Sequence, residues 1–211
     1  MFYGISKGIA IPALALGLSA CSTYIIDGEP VDLGIRYAPP SVAASTAPVN
    51  LGPNYLAAFR AARANLRAAG FTIVSANQNS GIIKVESNDP ALIDCGTISV
   101  GPRDAPRRFS GNAATSMIEV PAGPGQSSFI RRSVAAYTVA DISVAAQPSR
   151  GGGVLATVSE TQTVSLTLTQ TTDGSEAFSE TISFSNGESG RFSRALICQS
   201  SGKTAAAIAG G

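Results

Sequence analysis

Pro53-Asn54-Tyr55-Leu56-Ala57-Ala58-Phe59-Arg60-Ala61-Ala62-Arg63-Ala64-Asn65-Leu66-Arg67-Ala68-Ala69-Gly70 is followed by Phe71-Thr72-Ile73-Val74-Ser75, then Asn77-Gln78-Asn79-Ser80-Gly81, then Ile82-Ile83-Lys84-Val85-Glu86-Ser87. Tyr55, Phe59, Ala62, Leu66 and Ala69 recur at helical spacing. They predict a helix opened by Pro53-Asn54, running to Ala69 and stopped by Gly70. The two β-rich runs bracket a turn rich in Asn and Gly, which reads as a hairpin. Arg60, Arg63 and Arg67 lie on another face of the helix. That face is either simply solvated or a contact to acidic lipid or a protein partner.

Downstream the pattern is strand after strand. Residues 134–145, 154–170 and 177–185 are Thr- and Val-rich runs, separated by Pro148-Ser149-Arg150-Gly151-Gly152-Gly153 and Thr172-Asp173-Gly174-Ser175. In Val164-Ser165-Leu166-Thr167-Leu168-Thr169 apolar and polar residues alternate, the mark of a strand with one buried and one wet face. An antiparallel meander is the simple topology, with hydroxyls on its wet face. Residues 97–100, 116–120 and 192–197 add short strands. Residues 201–209 form at most one short helix with little core. Residues 101–132 are otherwise loop-like, either functional or disordered. Arg103, Arg107, Arg108, Arg131 and Arg132 fall there as a possible basic rim. The expected fold is α+β: one N-terminal helix packed on a mostly antiparallel sheet.

Upstream, residues 22–52 contain Pro30, Pro39, Pro40 and Pro48 among Ser, Ala and Thr, without an apolar period. They read as an extended, flexible tether. Before them, Lys7 precedes the uncharged apolar run of residues 9–17. That run is too short for a bilayer, which needs about 20 apolar residues, and has the form of a secretory leader. Leu18-Ser19-Ala20-Cys21 then resembles the lipobox of bacterial lipoproteins. The resemblance implies cleavage before Cys21, acylation of its thiol by diacylglycerol and of its amino group by a fatty chain such as palmitate, and, with Ser22 next, sorting to the outer membrane. It makes 1–20 a signal peptide, 21–52 a lipidated tether, 53–200 a periplasmic domain and 201–211 a tail or short helix. Two or more acyl chains suffice to hold a protein at a membrane.

With Cys21 lipidated, Cys95 and Cys198 remain of three cysteines. In an exported protein they are expected to join, the alternative being two separate buried thiols. The helix, Gly70-Phe71-Thr72-Ile73-Val74, a polar turn and Gly81-Ile82-Ile83-Lys84-Val85 also resemble the helix-and-hairpin unit of BamC-like lipoproteins of the outer-membrane barrel-assembly machine. That likeness covers residues 53–87.

Fifteen Lys and Arg against 14 Asp and Glu give a formal charge of +1. Nothing in that balance points to nucleic acid. There is no histidine, which removes Ser-His-Asp and Cys-His catalysis and the usual zinc sites. Gly151-Gly152-Gly153 lacks the Gly-Lys-Ser/Thr of a phosphate loop. Asp94 and Glu160 stand alone in sequence and read as surface acids, not as a glycosidase pair. The expectation is a non-catalytic protein with no cofactor, no metal and no catalytic residue. It would be lipid-anchored at the periplasmic face of the outer membrane and would bind envelope proteins, with barrel-assembly accessory as one version. A periplasmic small-ligand or cell-wall-glycan binding module is the alternative.

Overall fold

The computed structural model describes residues 23–26, 29–41, 47–102, 109–121, 129–147, 152–170, 176–193 and 196–210. In chain order, strands β1 (Thr23–Ile26), β2 (Glu29–Ala38) and β3 (Val49–Asn50) precede helix α1 (Tyr55–Ala68). Then come β4 (Thr72–Asn77), β5 (Ile82–Ser87), β6 (Ile93–Asp94), β7 (Thr97–Pro102), β8 (Phe109–Asn112) and β9 (Ile118–Pro121). The long strands β10 (Phe129–Gln147) and β11 (Gly153–Gln170) are followed by β12 (Glu176–Ser185), β13 (Ser189–Arg191), β14 (Ile197–Ser200) and helix α2 (Lys203–Ala209).

β10 and β11 form the spine, paired antiparallel from Ile130↔Gln170 to Gln147↔Gly153. The main sheet runs β12-β11-β10-β5-β4, with β3 added to β11 and β9 to β10. Two smaller antiparallel sheets, β1-β2-β7-β8 and β13-β14-β6, complete the fold. Strict alternation on the spine sorts its two faces. Ala136, Thr138, Ala140, Ile142 and Val144 of β10 are buried, as are Val154, Ala156, Glu160, Gln162, Val164 and Leu166 of β11. The intervening residues face outward, with Tyr137 and Val139 39% and 40% exposed.

The buried face carries two apolar clusters. At one end Ala140, Ile142, Val144, Val154 and Ala156 pack with Ile83 and Val85 beneath Ala58, Phe59, Ala62 and Leu66 of α1. At the other, Ala136, Val164 and Leu166 meet Ile93, Ile98, Phe184, Phe192 and Leu196 around the Cys95–Cys198 disulfide.

α1 forms where its sequence predicts. Asn54 caps it, its Oδ1 accepting from Ala57 N at 3.0 Å. Gly70, at φ 87°, ends it. Gly70 N donates to Arg67 O and Phe71 N to Leu66 O, both at 3.0 Å, and Phe71 and Leu66 share one cluster, which is a complete Schellman stop. In the β4–β5 turn Asn77 Oδ1 accepts from Asn79 N and Ser80 N. Gly81, at φ 71°, lies so close to Val144 O that a Cβ there would strike it.

The mostly antiparallel sheet, the helix packed on it and the disulfide are as expected. Several finer expectations are corrected. The helix is not N-terminal, because β1, β2 and β3 come before it. Residues 21–52, expected as a flexible tether, contain those strands: β2 pairs with β7 from Leu33↔Pro102 to Ala38↔Thr97, and β3 with β11. Tyr37 explains the docking. Its hydroxyl donates to Ile197 O at 3.0 Å and accepts from Ile197 N at 2.9 Å, bonds that cross 160 residues of chain. Among the described residues Pro30 pairs with Ile25 of β1, ahead of the described pairing of β2 with β7. Ala69 is exposed rather than part of the buried stripe. Of the described residues in the strand expected over 192–197, only Ile197 lies in one, at the start of β14; Phe192 N instead donates to Leu196 O between β13 and β14. Within 101–132 lie β8, β9 and the start of β10. α2 contributes more core than its small residues suggest, since Ile208 and Ala207 join the first cluster.

Candidate functional site

Arg60, Arg63 and Arg67 project from α1 into one shallow groove. Their spacing of three and four residues places them in a single stripe. Phe59 and Ala64 complete the helical wall, and Ala76 and Gln78 form the opposite side, enclosing about 330 Å³. α1 carries no acidic residue, and among the described residues no carboxylate pairs with these guanidinium groups. The Tyr55 hydroxyl fixes the Gln78 side, donating to Gln78 O at 2.5 Å. The result is a shallow concave strip in which three arginines, unpaired with any described carboxylate, alternate with Phe59, Ala64 and Ala76.

Of the other arginines singled out from sequence, the two described ones, Arg131 and Arg132, are engaged within the fold. Arg131 is held by Glu119, its Nε donating to Oε1 at 2.7 Å. Arg132 turns inward, donating from Nη2 to Ala113 O at 2.7 Å and from Nη1 to Ser116 O at 3.3 Å. Burial pulls its pKa below the usual arginine value, and it serves as a clamp on the β8–β9 turn. Arg103, Arg107 and Arg108 lie outside the described residues, as do the expected leader of residues 1–20 and Cys21. No helix among the described residues is long and apolar enough to cross a membrane.

Cys95 and Cys198 are both fully buried and bonded to each other across a sequence separation of 103. Beside Cys95, Gly96 at φ 77° lies against Ala38 O so closely that no Cβ fits. The β2 end is thus pressed onto the disulfide.

No family model, curated protein or solved structure matches this chain.

Two polar features escaped sequence reading. The first is Glu160, expected at the surface but only 4% exposed. Its Oε2 accepts from Thr204 Oγ1 at 2.7 Å, and its Oε1 accepts from Gln162 Nε2 at 3.1 Å and from Ser200 Oγ. Gln162 Nε2 also reaches Leu92 O at 3.5 Å. Thr138 stands opposite Gln162 in register, and Thr138 Oγ1 and Gln162 Oε1 are buried without a hydrogen-bond partner. This polar seam crosses the spine between the two apolar clusters. A Glu and a Gln at inward positions of the alternating run 154–166 are the signal that would have found it. The second feature is on the open face, where Tyr137 donates to Glu86 Oε2 at 2.7 Å. That hydrogen bond holds the phenol above the ordinary tyrosine pKa. Around it Thr163 pairs with Ser183 at 3.1 Å and Ser165 with Thr181 at 2.8 Å.

Among the described residues no group of His, Cys, Asp and Glu is placed to hold a metal ion. Asp94 spends its Oδ1 on Gly96 N at 2.8 Å, shaping the turn at the disulfide.

Proposed function

We propose that this chain is a non-catalytic adaptor lipoprotein of the bacterial cell envelope. It is anchored through Cys21 at the periplasmic face of the outer membrane and binds other envelope proteins. A barrel-assembly accessory is the specific version that the 53–87 resemblance supports. The observation that carries the reading is the buried Cys95–Cys198 disulfide downstream of Leu18-Ser19-Ala20-Cys21. A buried disulfide is the mark of an oxidising compartment, and it leaves Cys21 as the one remaining cysteine for lipid. The open, cationic groove supports a protein partner over a small ligand, because small-ligand sites are enclosed and mostly apolar.

The glycan-module reading has one observation of its own. Tyr137, pinned by Glu86 amid rows of Ser and Thr hydroxyls, offers a flat aromatic and hydroxyl surface.

Labelling cells with a palmitate analogue tests the anchor. The wild-type chain is expected to incorporate label and Cys21→Ala to lose it; equal labelling of both refutes acylation at Cys21. Crosslinking in intact cells followed by mild detergent extraction tests the adaptor role, which requires defined envelope proteins to be recovered with the chain. Retention on purified cell-wall glycan, lost in Tyr137→Ala, would favour the module instead.

A further inference from the structure

The groove beside α1 is bounded on its far side by a sheet edge. β4 pairs with β5 and with no other described strand, so it ends the main sheet. Alternate backbone N–H and C=O groups along such an edge are free to pair with another chain. A register shift between Ile73 and Ser75 bulges its first half, where Val74 stands exposed. The groove borders the second half through Ala76 and the turn that follows through Gln78. An exposed sheet edge can accept an extended peptide as an extra strand, and α1 packs in contact with this edge strand.

The charges match such a guest. From Arg60 to Arg67 the helix rises about 10 Å, at about 1.5 Å per residue. An extended chain covers that span in about three residues at about 3.3 Å each. Alternate side chains of an added strand would therefore set two successive same-face carboxylates against three arginines. The groove is lined by Phe59, Ala64 and Ala76 besides the arginines and Gln78, and by no acid. A membrane surface fits less well, because the guanidinium groups line a concavity rather than a convex crest.

We propose that the α1–β4 groove binds an extended acidic segment of a partner protein, added as a strand to the edge of β4 with its carboxylates on Arg60, Arg63 and Arg67. This rests on the adaptor reading and names the chemistry of its partner.

The test uses the full chain in mild detergent and a short fluorescent peptide alternating Glu and Thr, followed by anisotropy. Saturable, salt-sensitive binding is expected. Replacing Arg60, Arg63 and Arg67 together by Glu should weaken it by about tenfold or more, and by Gln less, with the circular dichroism spectrum unchanged. N-methylating every second peptide residue should abolish binding in one phase and spare it in the other, because an added strand bonds through alternate amides. The proposal is overturned if a Lys–Thr peptide binds equally, if both methylation phases act alike, or if only anionic phosphatidylglycerol vesicles bind. If the triple Glu variant still crosslinks to the same envelope proteins in cells, the groove assignment fails and the adaptor reading survives. If the wild-type chain crosslinks to none, both fail.

Discussion

The two ends of the β10–β11 hairpin bury side chains of the same two strands, but they are covered in different ways. Over the first cluster the main cover, α1, β4 and β5, is consecutive and lies within residues 55–87, with α2 the distant addition. Over the second, β6, β7, β14 and the residues around Phe192 arrive from distant parts of the chain. Local units form at little loop-closure cost, whereas each distant pairing must offset the entropy of closing a long loop. The disulfide lies in the second cluster, where that cost is largest. Between them the Glu160 seam belongs to neither cluster, and its hydrogen bonds tie α2 and β14 to the spine.

The largest effect should come from removing the disulfide. Replacing Cys95 and Cys198 by Ala is expected to cost up to about 4.7 kcal/mol in the chain-entropy model for a loop of about 100 residues. Amides of β14 and β7 should lose hydrogen-exchange protection well before those of α1; uniform loss of protection would show that the two ends are a single cooperative unit. Leu66→Ala should cost about 3 kcal/mol by leaving a cavity under the helix, read from urea unfolding. Its exchange signature should be the reverse, with α1 and β5 affected first.

Glu160→Ala strips the acceptor from Ser200, Thr204 and Gln162, and is expected to cost about 2 kcal/mol. A double-mutant cycle with Thr204→Val should show coupling between them, and additivity would remove the seam as a link between the halves. Tyr37→Phe should cost about 1 kcal/mol, since it loses both contacts to Ile197. It also has a pH signature. Burial is the largest influence on the Tyr37 phenol and raises its pKa above the usual value, with the Ile197 hydrogen bond opposing. The unfolded chain therefore releases this proton first as pH rises past about 10, and the native state loses stability above that point. The phenylalanine variant should show a shallower alkaline loss; an unchanged slope would mean that β2 is not held through this hydroxyl.

The helix and hairpin of 53–87 were legible because each signal in them is local. Asn54, Gly70, Asn77 and Gly81 act on the backbone within a few residues of themselves. The long strands were legible because alternation over residues 154–170 admits only one reading of which face is wet. Residues 22–52 were misread for the opposite reason. Proline and small residues hide a strand whose partner, β7, lies about 60 residues away, and the tyrosine that fixes it bonds across 160 residues. Of the site, the arginine stripe was visible from its spacing; the groove was not, since Ala76 and Gln78 carry no signal of their own.

By itself the chain determined its helix, its long alternating strands, the absence of histidine chemistry and which cysteines were candidates to pair, because periods and residue counts are properties of the chain before it folds. Tertiary structure alone decided that the supposed tether enters a sheet, that Glu160 is enclosed rather than exposed, and that three arginines face an open strand edge. Each of these depends on what a distant segment brings alongside, and no local period encodes that.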